Sequence, residues 1–217
     1  NIDLTIFGTS AKYISYLQAN DIIPKDIGNF ANLRLILSTG STLEDSSFDF
    51  VYDCWKSDVQ LSSISGGTDI ISCFALGNPN LPVYRGELQC LGLGMSVKSY
   101  DGQGKHNFSQ KGELVCDKAF PSMPIRFWED KNNEKYIGAY FNDYNKKWKH
   151  GDFILINDNY GVKIFGRSDS TLNPGGIRIG TAEIYQALNN LKYIKDSLVV
   201  GQIKDKDERI VLFVMLN

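Results

Sequence analysis

The 217-residue sequence predicts an α/β fold in three parts, and three observations support it. Residues 1–80 alternate helix-like and strand-like segments, the pattern of an open α/β sheet. Residues 81–168 hold many short strands separated by Gly-rich turns, which predicts a small barrel or folded sheet. Residues 169–217 open on a polar Gly/Pro-rich stretch and continue as helix, strand, strand, the start of a small α+β domain.

In the first part, Ser10 is a candidate cap for a helix over 10–20, with Tyr13, Ile14 and Leu17 on one face. Residues 33–37 (LRLIL) read as a buried strand, stopped by Ser38-Thr39-Gly40-Ser41-Thr42. Residues 48–56 read as a helix, and 59–64 as a short strand that runs into Ser65-Gly66-Gly67-Thr68-Asp69. Loops at such strand ends are where open α/β sheets bind ligands. In the second part the strands are 86–90, 95–100, 112–117, 153–157 and 162–165. Residues 166–180 then read as a linker, and Thr181 as the cap of a helix reaching Leu191. Strands over 196–201 and 210–216 flank a charged turn at 204–209. The chain has no internal repeat and no low-complexity segment.

Composition narrows the function classes. Lys and Arg total 23 against 25 Asp and Glu, a net charge of −2, so there is no basic footprint for nucleic acid or a membrane surface. The longest apolar run, 210–216, is far short of the roughly 20 residues a membrane helix needs. Residues 1–40 mix polar and apolar side chains throughout, unlike a secretory leader. Cys54, Cys73, Cys90 and Cys116 form no CxxC pair, and His106 and His150 are the only histidines, which argues against a zinc site. The cysteines read as buried reduced thiols, which favours a cytoplasmic setting. The chain starts at Asn1 rather than Met and stops right after a strand-like run, which predicts the middle of a longer protein.

Five constellations could carry chemistry. In Ser65-Gly66-Gly67-Thr68-Asp69, the glycines permit close backbone approach, Thr68 offers a hydroxyl and Asp69 a hard oxygen suited to Mg²⁺. The competing reading is a tight turn with Asp69 capping the next helix. In His150-Gly151-Asp152, the two carboxylate oxygens of Asp152 suit two vicinal hydroxyls, and His150 reads as a packing or surface residue. Gly166-Arg167-Ser168-Asp169 offers a guanidinium to ribose or phosphate oxygens, or else a solvated salt bridge. Pro174-Gly175-Gly176-Ile177-Arg178 offers two glycines and a second Arg, or else a simple turn. Gly40, Ser41 and Thr42 sit in a Ser/Thr/Gly loop that could lie against a base or phosphate. The Walker phosphate loop, the dinucleotide GxGxxG and the GxSxG nucleophile elbow are all absent.

In this order and spacing the signals resemble the adenylate-forming superfamily of acyl-CoA synthetases, luciferases and peptide-synthetase adenylation domains. The resemblance runs from about Thr5 to Gln202 and is to the acetoacetyl-CoA synthetase branch in particular. It rests on Phe7-Gly8-Thr9-Ser10-Ala11-Lys12-Tyr13, Ser63-Ile64-Ser65-Gly66-Gly67-Thr68-Asp69, Leu91-Gly92-Leu93-Gly94-Met95, Gly112-Glu113-Leu114-Val115-Cys116, Pro121-Ser122-Met123-Pro124 and Leu172-Asn173-Pro174-Gly175-Gly176. It implies part of a large N-terminal domain, sheet plus small β-barrel, followed by the start of a small C-terminal domain. It also implies ATP, Mg²⁺ and CoA, and a two-step ligation in which acetoacetate is adenylated and then passed to CoA. Residue by residue, Thr68 would touch the α-phosphate and acyl region, with Gly66 and Gly67 beside it, and Asp69 would hold Mg²⁺. Asp152, assisted by Arg167, would bind the ribose hydroxyls, and Gly40, Ser41 and Thr42 would lie against adenine. Asp169 would be the hinge, Arg178 would reach the phosphates during adenylation, and Gly176 would leave room for pantetheine.

Three departures from the pattern matter. Acetyl-CoA synthetases carry a Trp just before the Thr-acid pair, where this chain reads Ser65-Gly66-Gly67, so a larger or more polar acid is expected. The superfamily's phosphate loop and its C-terminal lysine are not in the chain, so the chain alone is expected to lack ligase activity. Two alternatives stay open: an adenylating enzyme with another acid or acceptor, and a non-catalytic β-rich binding module. The last requires Asp152 and Arg167 to be far apart.

Overall fold

The structure, a computed structural model, describes residues 3–170, 172, 179–188, 191, 193–204 and 207–217. Its first part runs β1 (Ile6–Ser10), α1 (Ala11–Ala19), α2 (Pro24–Ile27), β2 (Leu35–Thr39), α3 (Asp45–Phe50), a π-helical turn (Val51–Trp55) and β3 (Gln60–Ser63). The strands form a parallel sheet in the order β1-β2-β3. Parallel neighbours need long crossovers, which the helices supply. Ser10 caps α1 as expected: its Oγ accepts from the Tyr13 N–H at 3.1 Å. The buried stripe of α1 is Ala11, Ile14 and Leu17, while Tyr13 faces solvent. These side chains join Leu33, Ile36, Phe48, Val51, Trp55 and Leu61 in one core.

Two boundaries differ from expectation. The strand β2 runs on through Ser38 and Thr39, because Ser38 pairs with Ser63 and Thr39 with Ser10. Ladder pairing outweighs the turn preference of isolated Ser and Thr. The helix expected over 48–56 starts earlier, at Asp45, and widens at its end, where the Lys56 N–H donates to the Val51 carbonyl at 3.0 Å.

The second part is antiparallel. It comprises β4 (Ser65–Gly67), β5 (Ser72–Leu76), β6 (Cys90–Leu91), β7 (Val97–Tyr100), β8 (His106–Asn107), β9 (Gly112–Cys116), α4 (Glu134–Tyr140), β10 (Trp148–Ile156) and β11 (Val162–Arg167). One sheet has the order β4-β5-β6, and the other has the order β11-β10-β9-β7-β8. Leu88 and Val162 exchange backbone hydrogen bonds of 2.8 and 2.9 Å, tying the approach to β6 onto β11. A core containing Ile70, Phe74, Leu88, Leu114, Trp148, Ile154 and Val162 holds this part together. Trp148 lies at its centre, edge-on to Phe120, Tyr136 and Phe141 and stacked on Tyr140. The sequence reading omitted α4, whose residues include Gly138. Tertiary contacts supply what propensity lacks: the buried Asp130 carboxylate accepts from the N–H groups of Lys135 and Tyr136 at 3.2 and 2.9 Å.

The third part comprises α5 (Thr181–Leu188), β12 (Ile194–Lys204) and β13 (Asp207–Leu216), the two strands forming an antiparallel pair. Thr181 is the first residue of α5 rather than its cap; the Gly180 N–H before it donates to the Glu183 Oε1 at 3.2 Å. The strands run further toward each other than expected, because pairing continues to Lys204 and Asp207 within the predicted charged turn. Of the predicted linker, Gly166 and Arg167 belong to β11, Leu172 and Ile179 pair through their backbones, and residues 173–178 lie outside the described residues. No helix among the described residues is long and apolar enough to cross a membrane.

Trp148 is 1% exposed. Trp148→Ala is therefore expected to lower the unfolding free energy by about 3–5 kcal/mol, with Trp148→Phe costing less, as read from urea denaturation midpoints.

Candidate functional site

The hairpin β4–β5 forms one wall of a cleft of about 260 Å³, with Gly66, Gly67, Thr68, Asp69 and Ile70 along it. The facing wall is Tyr140, Trp148, His150 and Arg167. The segment after β3 is thus a paired strand and a turn, and no helix follows for Asp69 to cap. Glycine is required in this wall. A Cβ on Gly66 would lie 2.0 Å from the Ser72 carbonyl oxygen, inside the backbone of β5. A Cβ on Gly67 would meet His150 Cε1 at 3.0 Å. Space therefore opens into the cleft because the hairpin is closely paired and His150 packs beneath it. The turn is strained as well. Ile71, a β-branched residue, has φ of +47° and is 90% exposed.

On the facing wall, the Tyr140 ring stacks on Trp148 at 3.5 Å and 15°. The Tyr140 hydroxyl donates to Asp69 Oδ2. Burial, and then this carboxylate, pushes the phenol well above its ordinary range, so Tyr140 stays a donor. One oxygen of Asp69 is engaged in this way. Thr68 and Asp69 both remain exposed at the cleft mouth.

The strand β10 carries the remaining polar groups on a bulge. Lys149 pairs with Val115 on β9, and the next pair is Phe153 with Glu113, so residues 150–152 stand opposite Leu114 alone. Gly151 within the bulge has φ of +84°, and a Cβ there would lie 2.6 Å from Arg167 Nη2. On one side of it, His150 Nε2 lies 3.1 Å from the Gly66 carbonyl oxygen, and the Trp148 Nε1–H donates to His150 Nδ1 at 3.5 Å. Both contacts are satisfied together by the neutral tautomer protonated on Nε2. Burial, its largest influence, lowers the His150 pKa, against the pull of the neighbouring Asp152 carboxylate.

On the other side, Asp152 is 8% exposed. Its Oδ1 lies 3.5 Å from Arg167 Nη1, and its Oδ2 lies 3.7 Å from His150 Nε2. Burial pushes the Asp152 carboxyl upward, while His150 and Arg167 work against that shift. Arg167 also grips Asp169 with two nitrogens, Nε–H to Oδ1 at 2.9 Å and Nη2–H to Oδ2, which holds that carboxyl below its ordinary range.

Of the predicted site residues, the structure gathers Gly66, Gly67, Thr68, Asp69 and Arg167 around one cleft. Asp152 stands directly behind Arg167, and Asp169 on its other side. The separation that a simple binding module requires of Asp152 and Arg167 is absent. Gly40, Ser41 and Thr42 form the turn at the C-terminal end of β2 and are not among the residues lining the cleft. Gly176 and Arg178 lie outside the described residues. The sequence reading missed Tyr140 and Trp148 and treated His150 as packing. A signal was present: Trp148, His150 and Asp152 alternate along a strand, which directs them to one face.

The depressed His150 pKa has a definite sign in stability. The unfolded chain takes up a proton near pH 6.5 and the folded chain resists it, so this contribution is complete above that pH and is lost on acidification toward the folded value. The urea midpoint is expected to fall between pH 7.5 and 5.5, and His150→Gln is expected to flatten that slope, as read by denaturation at about five pH values.

The chain is 51% identical over 211 residues to the acetoacetyl-coenzyme A synthetase of Rhizobium meliloti (strain 1021), covering 97% of this chain and 32% of that protein. It is 48% identical over 217 residues to the acetoacetyl-CoA synthetase of Mus musculus, covering 99% of this chain and 32% of that one. Among solved structures, the acetoacetyl-CoA synthetase from Streptomyces lividans superposes with a TM-score of 0.86 at 39% identity, covering 99% of this chain and 33% of the other. A benzoate CoA ligase from Burkholderia xenovorans LB400 shares the fold, with a TM-score of 0.76 at 19% identity over 98% of this chain and 40% of the other. No protein-family model matches the chain. The chain spans about a third of the length of the curated relatives it matches, and over that span it is homologous to acetoacetyl-CoA synthetases.

Proposed function

We propose that this chain forms the nucleotide- and acid-binding part of an AMP-forming acid–thiol ligase that activates acetoacetate and passes it to CoA. The observation that carries the reading is the meeting of the Thr68-Asp69 turn with Arg167 across one cleft, with Asp152 paired to Arg167 behind it. In the first step a carboxylate oxygen of the acid attacks the α-phosphorus of ATP, and pyrophosphate leaves. In the second, the sulfur of CoA loses its proton and attacks the acyl carbon, and AMP leaves. Adenylation is needed because a carboxylate is a poor electrophile. The protein's task is to hold both reactants in register and to place charge where negative charge develops.

The roles follow from chemistry. Asp152 is acceptor-only when ionised, so its two oxygens suit the vicinal ribose hydroxyls, and Arg167 beside it favours that charged form against the effect of burial. The Thr68 hydroxyl donates to the α-phosphate. Asp69 fits Mg²⁺: it supplies a hard carboxylate oxygen, exposed at the cleft mouth, while its other oxygen is held by Tyr140. Mg²⁺ takes one or two carboxylates and completes its shell with water and phosphate oxygens, which it would here neutralise. The Tyr140 hydroxyl orients the Asp69 carboxylate through its hydrogen bond. Gly40, Ser41 and Thr42 would flank the adenine. Asp169, held from the large-domain side by Arg167, would be the pivot, with Arg178 and Gly176 serving the adenylating and thiol-transferring states in turn. CoA, ATP and acetoacetate are the small-molecule partners of this reading.

In the full-length protein carrying this chain, Asp152→Ala is expected to raise KM for ATP by about tenfold or more while KM for the acid changes little, as measured by ATP–pyrophosphate exchange. Asp69→Ala should raise the Mg²⁺ concentration needed for half-maximal rate. An unchanged KM for ATP in the Asp152 variant overturns the ribose assignment. A panel of short-chain acids tests the substrate, and preference for acetate overturns acetoacetate.

A further inference from the structure

The carboxylate of Glu113 has no part in the roles above. It lies on β9 in the middle of the five-stranded sheet, 8% exposed, where a charged side chain is costly unless it is hydrogen-bonded. Its Oε1 accepts from the Gly151 N–H at 3.0 Å, and the nearby Ser168 side chain favours its charged form against burial. The Ser168 backbone N–H in turn donates to the Gly151 carbonyl at 2.7 Å. The bulge sets three residues of β10 against one of β9, so the ladder offers the Gly151 amide no partner. Glu113 supplies one. Gly151 is thereby clamped on both sides, its N–H by Glu113 on β9 and its C=O by the N–H of Ser168, the residue following Arg167.

We propose that Glu113 is a positioning residue of the nucleotide cleft, holding the Gly151 bulge so that Asp152 and Arg167 are presented together. The inference rests on the ribose-binding reading of that pair. Bulges beside functional sites re-aim side chains, and small misplacements of a binding group cost much of its effect. Without the carboxylate the buried Gly151 N–H loses its acceptor, and the bulge shifts to find another. Glu113→Gln keeps a carbonyl oxygen for that N–H, whereas Glu113→Ala does not.

The test uses the full-length protein and two readouts. Glu113→Ala should raise KM for ATP by about tenfold while KM for the acid and for CoA stay within about twofold, and Glu113→Gln should recover most of the loss. Amide hydrogen exchange of a peptide covering 148–153 should speed in the Ala variant and return toward wild type in the Gln variant. Unchanged exchange in Glu113→Ala, or equal damage from Gln and Ala, overturns the placement of Glu113. A parallel rise of all three KM values in step with lost thermal stability makes Glu113 structural only, which also overturns it. Faster exchange with KM for ATP unchanged in both Glu113→Ala and Asp152→Ala overturns the ribose reading instead, and with it the link from the bulge to nucleotide.

Discussion

A buried carboxylate must be paired or lose its charge, and that constraint on Asp152 organises the cleft around it. The partner comes from the next strand in sequence: β10 and β11 pair so that Asp152 stands opposite Arg167. Arg167 reaches past it to Asp169, the first charged residue after β11. One guanidinium therefore serves two carboxylates, one buried and one half-exposed. Arginine suits this place because its planar fork carries several donors in fixed directions, which a lysine ammonium does not.

Glycine geometry supplies the space for that arrangement. Gly151 adopts a left-handed conformation and leaves room for the Arg167 guanidinium, and Gly66 lets two strands of a hairpin approach as closely as backbone allows. Gly67 leaves the imidazole of His150 against the hairpin, where its Nε2 reaches the Gly66 carbonyl. The apolar layer beneath is aromatic: Phe74 meets His150 edge-on at 4.8 Å, and Trp148 stacks under Tyr140. These contacts stiffen the wall from which the polar groups project. The cleft is thus framed by one hairpin, one bulge and one stacked pair, with Ile70, Phe74 and Trp148 tying it to the second core.

The two cores divide the work. The parallel sheet with its helices buries its own apolar cluster and delivers the chain, at the end of β3, to the start of the hairpin. The antiparallel sheets carry the cleft itself. Ile70, Phe74 and Ala75 pack with the second core although they follow closely on the first sheet, so the Thr68-Asp69 turn is anchored from the side that carries Arg167.

Local features were legible from residues alone. The Ser10 cap, Ile14 and Leu17 in the stripe of α1, four strands of the antiparallel part and the side-chain types offered by Thr68, Asp69, Asp152 and Arg167 depend on neighbours close in sequence, where periodicity and side-chain type decide. Other features depend on partners far along the chain. The extension of β2 needs β1 and β3 beside it, and α4 needs the Asp130 carboxylate and a tryptophan to stack on. Gly66 and Gly67 read in sequence as loop glycines that might cradle a ligand; only the paired hairpin and the packed His150 reveal the steric demand for them. Glu113 read as a strand residue in an apolar run, and its role exists only because β10 bulges opposite it. Sequence alone therefore determined which groups could do the chemistry, since that follows from side-chain type and local order. The tertiary structure decided which of them meet, because strand register and backbone bulges set distances that no local pattern encodes.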